Sequence, residues 1–190
     1  MKRGRKEMHW VLRSQSGDTD ALNSLLNAIQ EPIYRYIVGL VNDEHMAYDI
    51  LQEVFLVVTR KIYWVKDARA FRLWVYRIAS REAFRTLRRE RRVPEQSHDV
   101  RELESAQEVP NALAALTKRE MVTEVTQMLN EVSPASRVVL SLHYLHEMTL
   151  REVADVLDVS IGTVKSRLSY GLRSLRKKLG QTDSDGDLQR

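Results

Sequence analysis

The sharpest structural signal in the sequence lies at residues 149–173, which read TLREVADVLDVSIGTVKSRLSYGLR. Thr149 and Glu152 have the spacing of a capping box, which pairs exposed backbone N–H groups at the start of a helix. The apolar residues that follow recur at helical spacing and predict a helix of about eight residues: Leu150, Val153, Ala154 and Leu157. Asp158-Val159-Ser160 predicts a turn, and Ser160 can cap a second, longer helix. The stretch therefore predicts a helix-turn-helix.

The second helix of this motif has two chemically distinct faces. Its predicted inward residues are Ile161, Val164, Leu168, Leu172 and Leu175. Its predicted outward residues, with the capping serine, are hydroxyl-bearing or cationic: Ser160, Thr163, Lys165, Ser166, Arg167, Ser169, Tyr170 and Arg173. Such side chains suit the DNA major groove, where short polar groups read base edges and cations hold phosphates. Helix pairs of this pattern also occur as plain structure, so it is the agreement of capping, spacing and charge that favours DNA binding.

Composition narrows the class of protein. The chain has 190 residues, a net charge of +4 and no cysteine, which excludes disulfides, thiol nucleophiles and cysteine-ligated metals. Seven glycines and four prolines leave few turn signals, so the fold is expected to be all-α. No apolar run is long enough to insert directly in a membrane, and the basic N-terminus lacks the apolar core of a secretory signal. We expect a cytoplasmic protein with no metal and no cofactor.

Charge is distributed unevenly along the chain. Nine arginines lie between Arg69 and Arg92, against only Glu82 and Glu90. A second basic cluster spans residues 161–178 without any acid, and the stretch between the two clusters is acidic. Two basic clusters around an acidic spacer predict two places where a polyanion is held, although basic helix faces are often merely solvated.

Four helical segments are predicted in the N-terminal half. The first begins near Asp18, and Pro32 is expected to interrupt it. Asn42-Asp43 predicts a turn before the third segment, and a break near residues 65–67 precedes the arginine-rich one. We predict two small helical bundles: a domain over 1–93, a flexible acidic linker over 94–114, a domain over 115–180 and a disordered tail over 181–190.

Aromatic side chains interleave with cations around the third and fourth segments. Tyr63, Trp64 and Trp74 lie among lysines and arginines. This mixture suits single-stranded nucleic acid, in which unstacked bases find aromatic platforms and phosphates find cations. The alternative is that the aromatic residues belong to the helix core, and for Trp74 the core interpretation is the stronger one.

The order of these motifs resembles the extracytoplasmic-function (ECF) group of bacterial RNA polymerase sigma factors. Residues 49–56, DILQEVFL, are similar to the polymerase-binding helix of that family. Residues 71–79, FRLWVYRIA, resemble the helix that melts and reads the −10 promoter element. Residues 133–179, including GTVKSRL at 162–168, resemble the domain that reads the −35 element.

The resemblance implies a role for each group of residues. Core polymerase would be bound by Asp49, Gln52, Glu53 and Phe55. The −10 DNA would be bound by Lys61, Trp64, Lys66, Arg69, Arg77, Arg81, Arg85 and Arg88, with the segment 64–69 capturing a flipped base. The −35 DNA would be bound by the outward residues named above, from Ser160 to Arg173.

The resemblance also implies partners, and one rival remains. The partners are core RNA polymerase, promoter DNA and an anti-sigma factor or other regulator, which can hold the chain at the inner membrane face. The function implied is promoter-specific transcription initiation in the nucleoid, with no catalysis by the chain itself. The rival is a stand-alone dimeric helix-turn-helix regulator, which explains the C-terminal half but leaves residues 49–56 and the aromatic-basic helix without a role.

Overall fold

The computed structural model describes residues 2–90, 129 and 132–186, and it is helical throughout, with no strand in those residues. Seven α-helices follow one another within these ranges: α1 (Lys2–Gln15), α2 (Thr19–Val41), α3 (Glu44–Lys61), α4 (Phe71–Glu90), α5 (Pro134–Leu140), α6 (Leu150–Leu157) and α7 (Ile161–Gly186). Two 3₁₀ turns, Ile62–Trp64 and Ala68–Ala70, join α3 to α4, and a π-helical turn, Ser141–Leu145, extends α5. The all-α prediction is confirmed. The predicted linker over 94–114 lies outside the described residues.

The N-terminal unit consists of α1 to α4, and polar caps set the ends of its helices. The Asp18 carboxylate accepts a bond from the backbone N–H of Ala21 and begins α2. Asn42 then adopts the left-handed conformation, with a φ of 55°, and Asp43 caps α3 by accepting from Met46. These are the caps predicted from the sequence, because Asp and Asn satisfy helix-end N–H groups and tolerate sharp turns.

Two features of the N-terminal unit differ from the sequence predictions. The helix α2 continues through Pro32 without a break. Its buried stripe, which includes Ile29, Ile33 and Ile37, runs on both sides of the proline, and this packing offsets a cost of about 3 kcal/mol for an interior proline. The helix α1 was not predicted, because its core-facing residues do not form an apolar stripe: Val11 is buried together with the polar residues Glu7 and Ser14, and Trp10 packs beside them.

The C-terminal unit contains the helix-turn-helix. Ser133 caps α5 with Pro134 in its first turn, and the capping box of Thr149 and Glu152 begins α6. The helix α6 has eight residues and ends at Leu157, and the φ of 56° at the next residue, Asp158, turns the chain toward α7. Each of these features was predicted. The helix α7 extends to Gly186 and so differs from the tail predicted to be disordered from 181, since each residue added to a helix end forms one more backbone hydrogen bond.

The two units pack against each other along α4. The buried core is continuous from Val54 and Val75 in the N-terminal unit to Val139 and Val153 in the C-terminal unit. The helix α4 lies against α6, the first helix of the helix-turn-helix. Residues that the sequence assigns to different domains therefore share one hydrophobic core.

A glycine sets how closely α7 approaches α5. A Cβ atom added to Gly171 would lie 2.8 Å from Leu140 Cδ1 and 3.1 Å from Ser136 Cβ. A Cβ atom added to Gly39, in the interior of α2, would meet nothing within 4 Å.

We therefore expect opposite effects from the same substitution. Gly39→Ala should raise the free energy of unfolding by up to about 1 kcal/mol, because alanine is the better helix former. Gly171→Ala should lower it, because the overlap with α5 exceeds the propensity gain. Urea unfolding of both variants measures this, and an equal stabilisation of both would contradict the close packing of α5 on α7.

Candidate nucleic-acid interface

The outward face of α7 is a polar, cationic surface. Lys165, Ser166, Ser169 and Arg173 are exposed, and Tyr170 exposes 61% of its surface. Val164 is fully buried on the opposite face, as predicted. Thr163 and Arg167 are half-buried at the border between the two faces. The helix thus presents hydroxyls and cations on one side, in the arrangement that suits a DNA groove.

At the start of α7, Ile161 differs from its predicted position, whereas Ser160 caps the helix as predicted. Ile161 was expected to face inward, yet as the first residue of α7 it exposes 43% of its surface. The Ser160 hydroxyl accepts from the backbone N–H of Thr163 at 3.1 Å, and the two hydroxyl oxygens lie 2.9 Å apart. Both of these hydroxyls therefore already take part in the helix cap.

The connection between α3 and α4 exposes two aromatic rings. Trp64 exposes 81% of its surface and Tyr63 exposes 59%, although large aromatic side chains are usually buried. The residues that flank this connection, Ile62 and Phe71, are both buried in the core. We call residues 62–70 the aromatic loop. Its predicted cations are all exposed: Lys61 at its border, Lys66 and Arg69.

One of these cations is already paired. The Asp67 carboxylate accepts from the Arg69 backbone N–H at 2.9 Å and from Arg69 Nε at 3.1 Å. These bonds hold the pKa of Asp67 below its usual value and raise the pKa of Arg69. Asp67 also caps the second 3₁₀ turn, so this ion pair shapes the loop as well as neutralising a cation.

Trp74, in contrast, belongs to the core. It packs against the hydrophobic cluster beside Phe71, with ring centroids 6.0 Å apart. The core interpretation of Trp74 is therefore confirmed, and Trp64 is the tryptophan that the aromatic loop presents to solvent.

The predicted DNA-binding arginines of α4 are all engaged within the protein. Arg77 donates from Nε and from a terminal nitrogen to the backbone carbonyl of Asp155 in α6, at 3.0 and 2.6 Å. Arg81 lies 3.8 Å from the Asp158 carboxylate. Arg85 pairs with Glu82 at 2.5 Å, and Arg88 donates to the Phe84 carbonyl at 3.1 Å. Arg77 and Arg81 therefore reach the helix-turn-helix, whereas Arg85 and Arg88 make local contacts on the exposed face of α4.

A trio of rings joins the two units beside these arginines. The Tyr76 hydroxyl lies 2.8 Å from His146 Nδ1, and the His146 ring also stands edge-on to Tyr36, with centroids 5.4 Å apart. The Tyr36 and Ser80 hydroxyls are hydrogen-bonded at 2.6 Å. We call this trio, together with the bonds of Arg77 and Arg81 to the C-terminal unit, the closing contact.

The environment of His146 opposes its protonation. Burial, helped by the positive charges of Arg72 and Arg35, lowers the pKa of this imidazole to about 4. The imidazole is therefore neutral at pH 7 in the closing contact.

The helix α3 presents a mixed polar and apolar surface. Asp49, Gln52 and Glu53 are exposed together on this helix, as the spacing predicts. Phe55, also predicted to bind a partner, is half-buried against the core. Leu56 exposes 46% of its surface next to these polar residues. The sequence analysis did not name Leu56 as a candidate contact. Its position outside the buried apolar stripe of α3 is the signal that could have identified it.

The part of the chain that the structure describes contains neither a candidate metal site nor a candidate membrane-spanning helix. No three His, Asp or Glu side chains come together there in a way that could hold a metal ion. Among the described helices, none is long and apolar enough to cross a membrane.

Two family models match the chain in order. Sigma-70 region 2 matches residues 25–93, and sigma-70 region 4 matches residues 128–177, together more than half of the chain. The chain belongs to the sigma-70 family. Region 2 covers most of α2 together with α3, the aromatic loop and α4, and region 4 covers α5, α6 and most of α7. Sigma factors as a class are DNA-binding transcription regulators rather than catalysts.

Relatives along nearly the whole length are ECF sigma factors. The ECF RNA polymerase sigma factor SigW of Bacillus subtilis is 27% identical over 176 residues, which make up 89% of this chain and 94% of that protein. Two solved structures share the fold. CnrH in complex with the cytosolic domain of CnrY has a TM-score of 0.68 at 20% identity, over 93% of this chain and 98% of the other. The sigma factor RpoE in complex with the anti-sigma factor NepR from Bartonella quintana has a TM-score of 0.63 at 19% identity, over 83% of this chain and 96% of the other.

The contact between region 2 and region 4 should depend on pH. Because the pKa of His146 is lowered from 6.5 to about 4 on closure, closure gains its full stability above pH 6.5 and loses it as pH falls toward 4. At pH 5 the loss should be on the order of 2 kcal/mol. Small-angle X-ray scattering between pH 7.5 and 5 should show the radius of gyration increasing in acid.

The control for this prediction is His146→Gln, which keeps a polar side chain but cannot titrate. Its radius of gyration should change less over the same pH range than that of the unmodified protein. A radius that is constant with pH in the unmodified protein, or an identical change in both proteins, would contradict the role given to His146.

Proposed function

We propose that this protein is an ECF sigma factor that binds core RNA polymerase and directs transcription initiation at promoters with −10 and −35 elements. The observation that carries the proposal is the pairing of two different nucleic-acid surfaces on one chain. The face of α7 carries hydroxyls and cations suited to duplex DNA, and the aromatic loop carries a highly exposed tryptophan suited to an unstacked base. The α7 face lies in the part of the chain that matches sigma-70 region 4, and the aromatic loop lies in the part that matches region 2.

The domain roles follow from this assignment. The domain over 1–93 binds core polymerase and melts the −10 element, the domain over 115–180 reads the −35 element, and residues 94–114 connect them. On α7 the exposed residues Lys165, Ser166, Ser169, Tyr170 and Arg173 contact the −35 groove. Thr163 and Arg167 contribute from the border of that face, and Ser160 keeps the helix capped.

Melting is assigned to the aromatic loop and α4. Extruding a base from duplex DNA costs a few kcal/mol, least where the base pair is weak. The exposed ring of Trp64 provides a surface on which such a base can stack, while Lys61, Lys66 and Arg69 lie near its phosphates. The same residues then both stabilise the open strand and select its sequence.

Core polymerase is assigned to the exposed face of α3. Asp49 and Glu53 supply carboxylates at a helical spacing of four, Gln52 supplies an amide and Leu56 supplies the apolar contact. Charged groups around an apolar centre are the usual arrangement of a protein interface. Phe55 acts from beneath this face by packing it onto the core.

The closing contact must open before both promoter elements can be read. Arg77 and Arg81 are bound to the helix-turn-helix, so region 4 lies against the helix that is to follow the −10 strand. Binding of polymerase and promoter would exchange these contacts for phosphate contacts. Arg85 and Arg88 are already exposed on α4 and need only local rearrangement.

The remaining properties follow from the class of protein. We assign the chain no catalytic activity of its own, no cofactor and a cytoplasmic, nucleoid-associated location. An anti-sigma factor is the expected regulatory partner, because RpoE from Bartonella quintana, which shares the fold, forms a complex with one. A stand-alone dimeric regulator is not favoured, since it leaves the aromatic loop and the α3 face without a role.

Run-off transcription tests the function directly. Core polymerase with this protein should start transcripts at a defined promoter, and neither component should do so alone. Glu53→Arg should reduce the transcript and the affinity for core at least tenfold, because it reverses one of the two carboxylates of the α3 face and leaves a repulsive charge in the interface. Asp20→Arg, a charge reversal at an exposed residue of α2, is the matched control and should change neither.

Specific duplex binding by a dimer of the free protein, with no transcript in the presence of core, would overturn the proposal in favour of the stand-alone regulator.

Removing the exposed ring should impair melting specifically. Trp64→Ala should lower the yield of open complexes on duplex promoter DNA by about tenfold or more, since base stacking on an aromatic ring contributes ~1–3 kcal/mol. On a template whose −10 region is already unpaired, most of the yield should return. Permanganate reactivity of thymines measures the opening, and an equal loss on both templates would contradict a role in melting.

A further inference from the structure

The last residue of α1 reaches the aromatic loop. The side-chain nitrogen Nε2 of Gln15 donates to the backbone carbonyl of Ile62 at 2.9 Å and to that of Val65 at 2.8 Å. These carbonyls belong to residues nearly fifty positions further along the chain. Gln15 itself is half-buried, so the two bonds are partly shielded from water.

The two carbonyls bracket the exposed rings. Between them lie Tyr63 and Trp64, the most exposed aromatic residues of region 2 that the structure describes. The backbone N–H of Val65 donates to the Ile62 carbonyl at 3.1 Å and closes the turn. Gln15 therefore holds both ends of the turn that presents Trp64.

Few side chains can make this pair of bonds. A primary amide carries two hydrogens on one nitrogen, so it can serve two carbonyl acceptors at once. A carboxylate of the same length has only acceptor oxygens and would face both carbonyls unfavourably. Methionine has nearly the same length and shape but donates no hydrogen bond.

The docking of α1 does not depend on Gln15. Val11 is fully buried in the core, and the Glu7 carboxylate lies 3.6 Å from Arg72 in α4. In the last turn of α1, Arg13 forms an ion pair with Asp18 across the turn into α2. Removing the amide should therefore leave α1 in place and release only the turn.

We propose that Gln15 is a positioning residue for base selection in the −10 element, acting by fixing the backbone that presents Trp64. The inference rests on the proposed function and deepens it. It assigns part of promoter discrimination to α1, which lies outside the matched region 2 and in a helix that touches the loop but need not touch DNA.

The test measures base preference rather than overall activity. Holoenzyme formed from core polymerase and the full chain is titrated with single-stranded oligonucleotides of a −10 region that it uses. Each of the four bases is placed in turn at each position. Comparing the unmodified protein with Trp64→Ala identifies the position at which the variant loses its base preference. The readout is the ratio of the affinities for the preferred base and for the other bases at that position.

Gln15→Met and Gln15→Glu should each lower that ratio about tenfold, because each removes two hydrogen bonds of ordinary strength. Preferences at the other positions, core affinity and binding to −35 duplex DNA should stay unchanged. Gln30→Met and Gln30→Glu, at an exposed glutamine of α2, are the matched controls and should leave every ratio unchanged. Unfolding in urea verifies that all four variants are folded.

The outcomes separate the two proposals. If the unmodified holoenzyme initiates at its promoter and Gln15→Met keeps the full ratio, the role of Gln15 is overturned while the sigma-factor function stands. A uniform loss of affinity for all bases in Gln15→Met would also overturn it, because that is the effect of a merely structural residue. If the unmodified protein does not initiate with core at all, the proposed function itself fails.

Discussion

The arrangement of the whole molecule depends on a neutral histidine between two tyrosines. His146 comes from the turn that follows α5, and Tyr36 and Tyr76 come from α2 and α4. A polar group that is removed from water must find a partner, and here the Tyr76 hydroxyl and the His146 ring satisfy each other. The Tyr36 hydroxyl is satisfied by Ser80 in the same unit. The apolar core can therefore continue from one unit to the next without leaving these hydroxyls unpaired.

This contact uses side chains that the function also requires. Arg77 and Arg81 lie on the helix assigned to the −10 strand, yet both bind the helix-turn-helix assigned to the −35 element. A cation cannot be paired with a carboxylate or carbonyl and with a phosphate in the same geometry. Closure and promoter binding thus compete for the same groups, whereas the exposed Trp64 and the outward face of α7 do not take part in that competition.

Local signals made much of this structure predictable. The caps at Asp18, Asp43, Ser133 and Thr149 follow from side chains bonding to neighbouring backbone, so a few adjacent residues suffice to predict them. The faces of α7 follow from helical spacing, apart from Ile161 in its first turn. Interactions between distant residues were not predictable in this way. Pro32 inside α2, the bonds from Gln15 to the aromatic loop and the pairing of Arg77 with Asp155 each depend on tertiary packing.

We propose that one set of contacts closes the free protein and is exchanged for contacts with DNA when a promoter is bound. The chain has no cysteine, so spin labels can be attached to two introduced cysteines, one at exposed His45 and one at exposed Arg176. Pulsed electron–electron double resonance then measures the distance between the two labels in the free protein and in the complex with core polymerase and promoter DNA. We expect one dominant distance in the free protein and a different, longer one in the promoter complex. The same distance in both states would contradict the exchange of contacts.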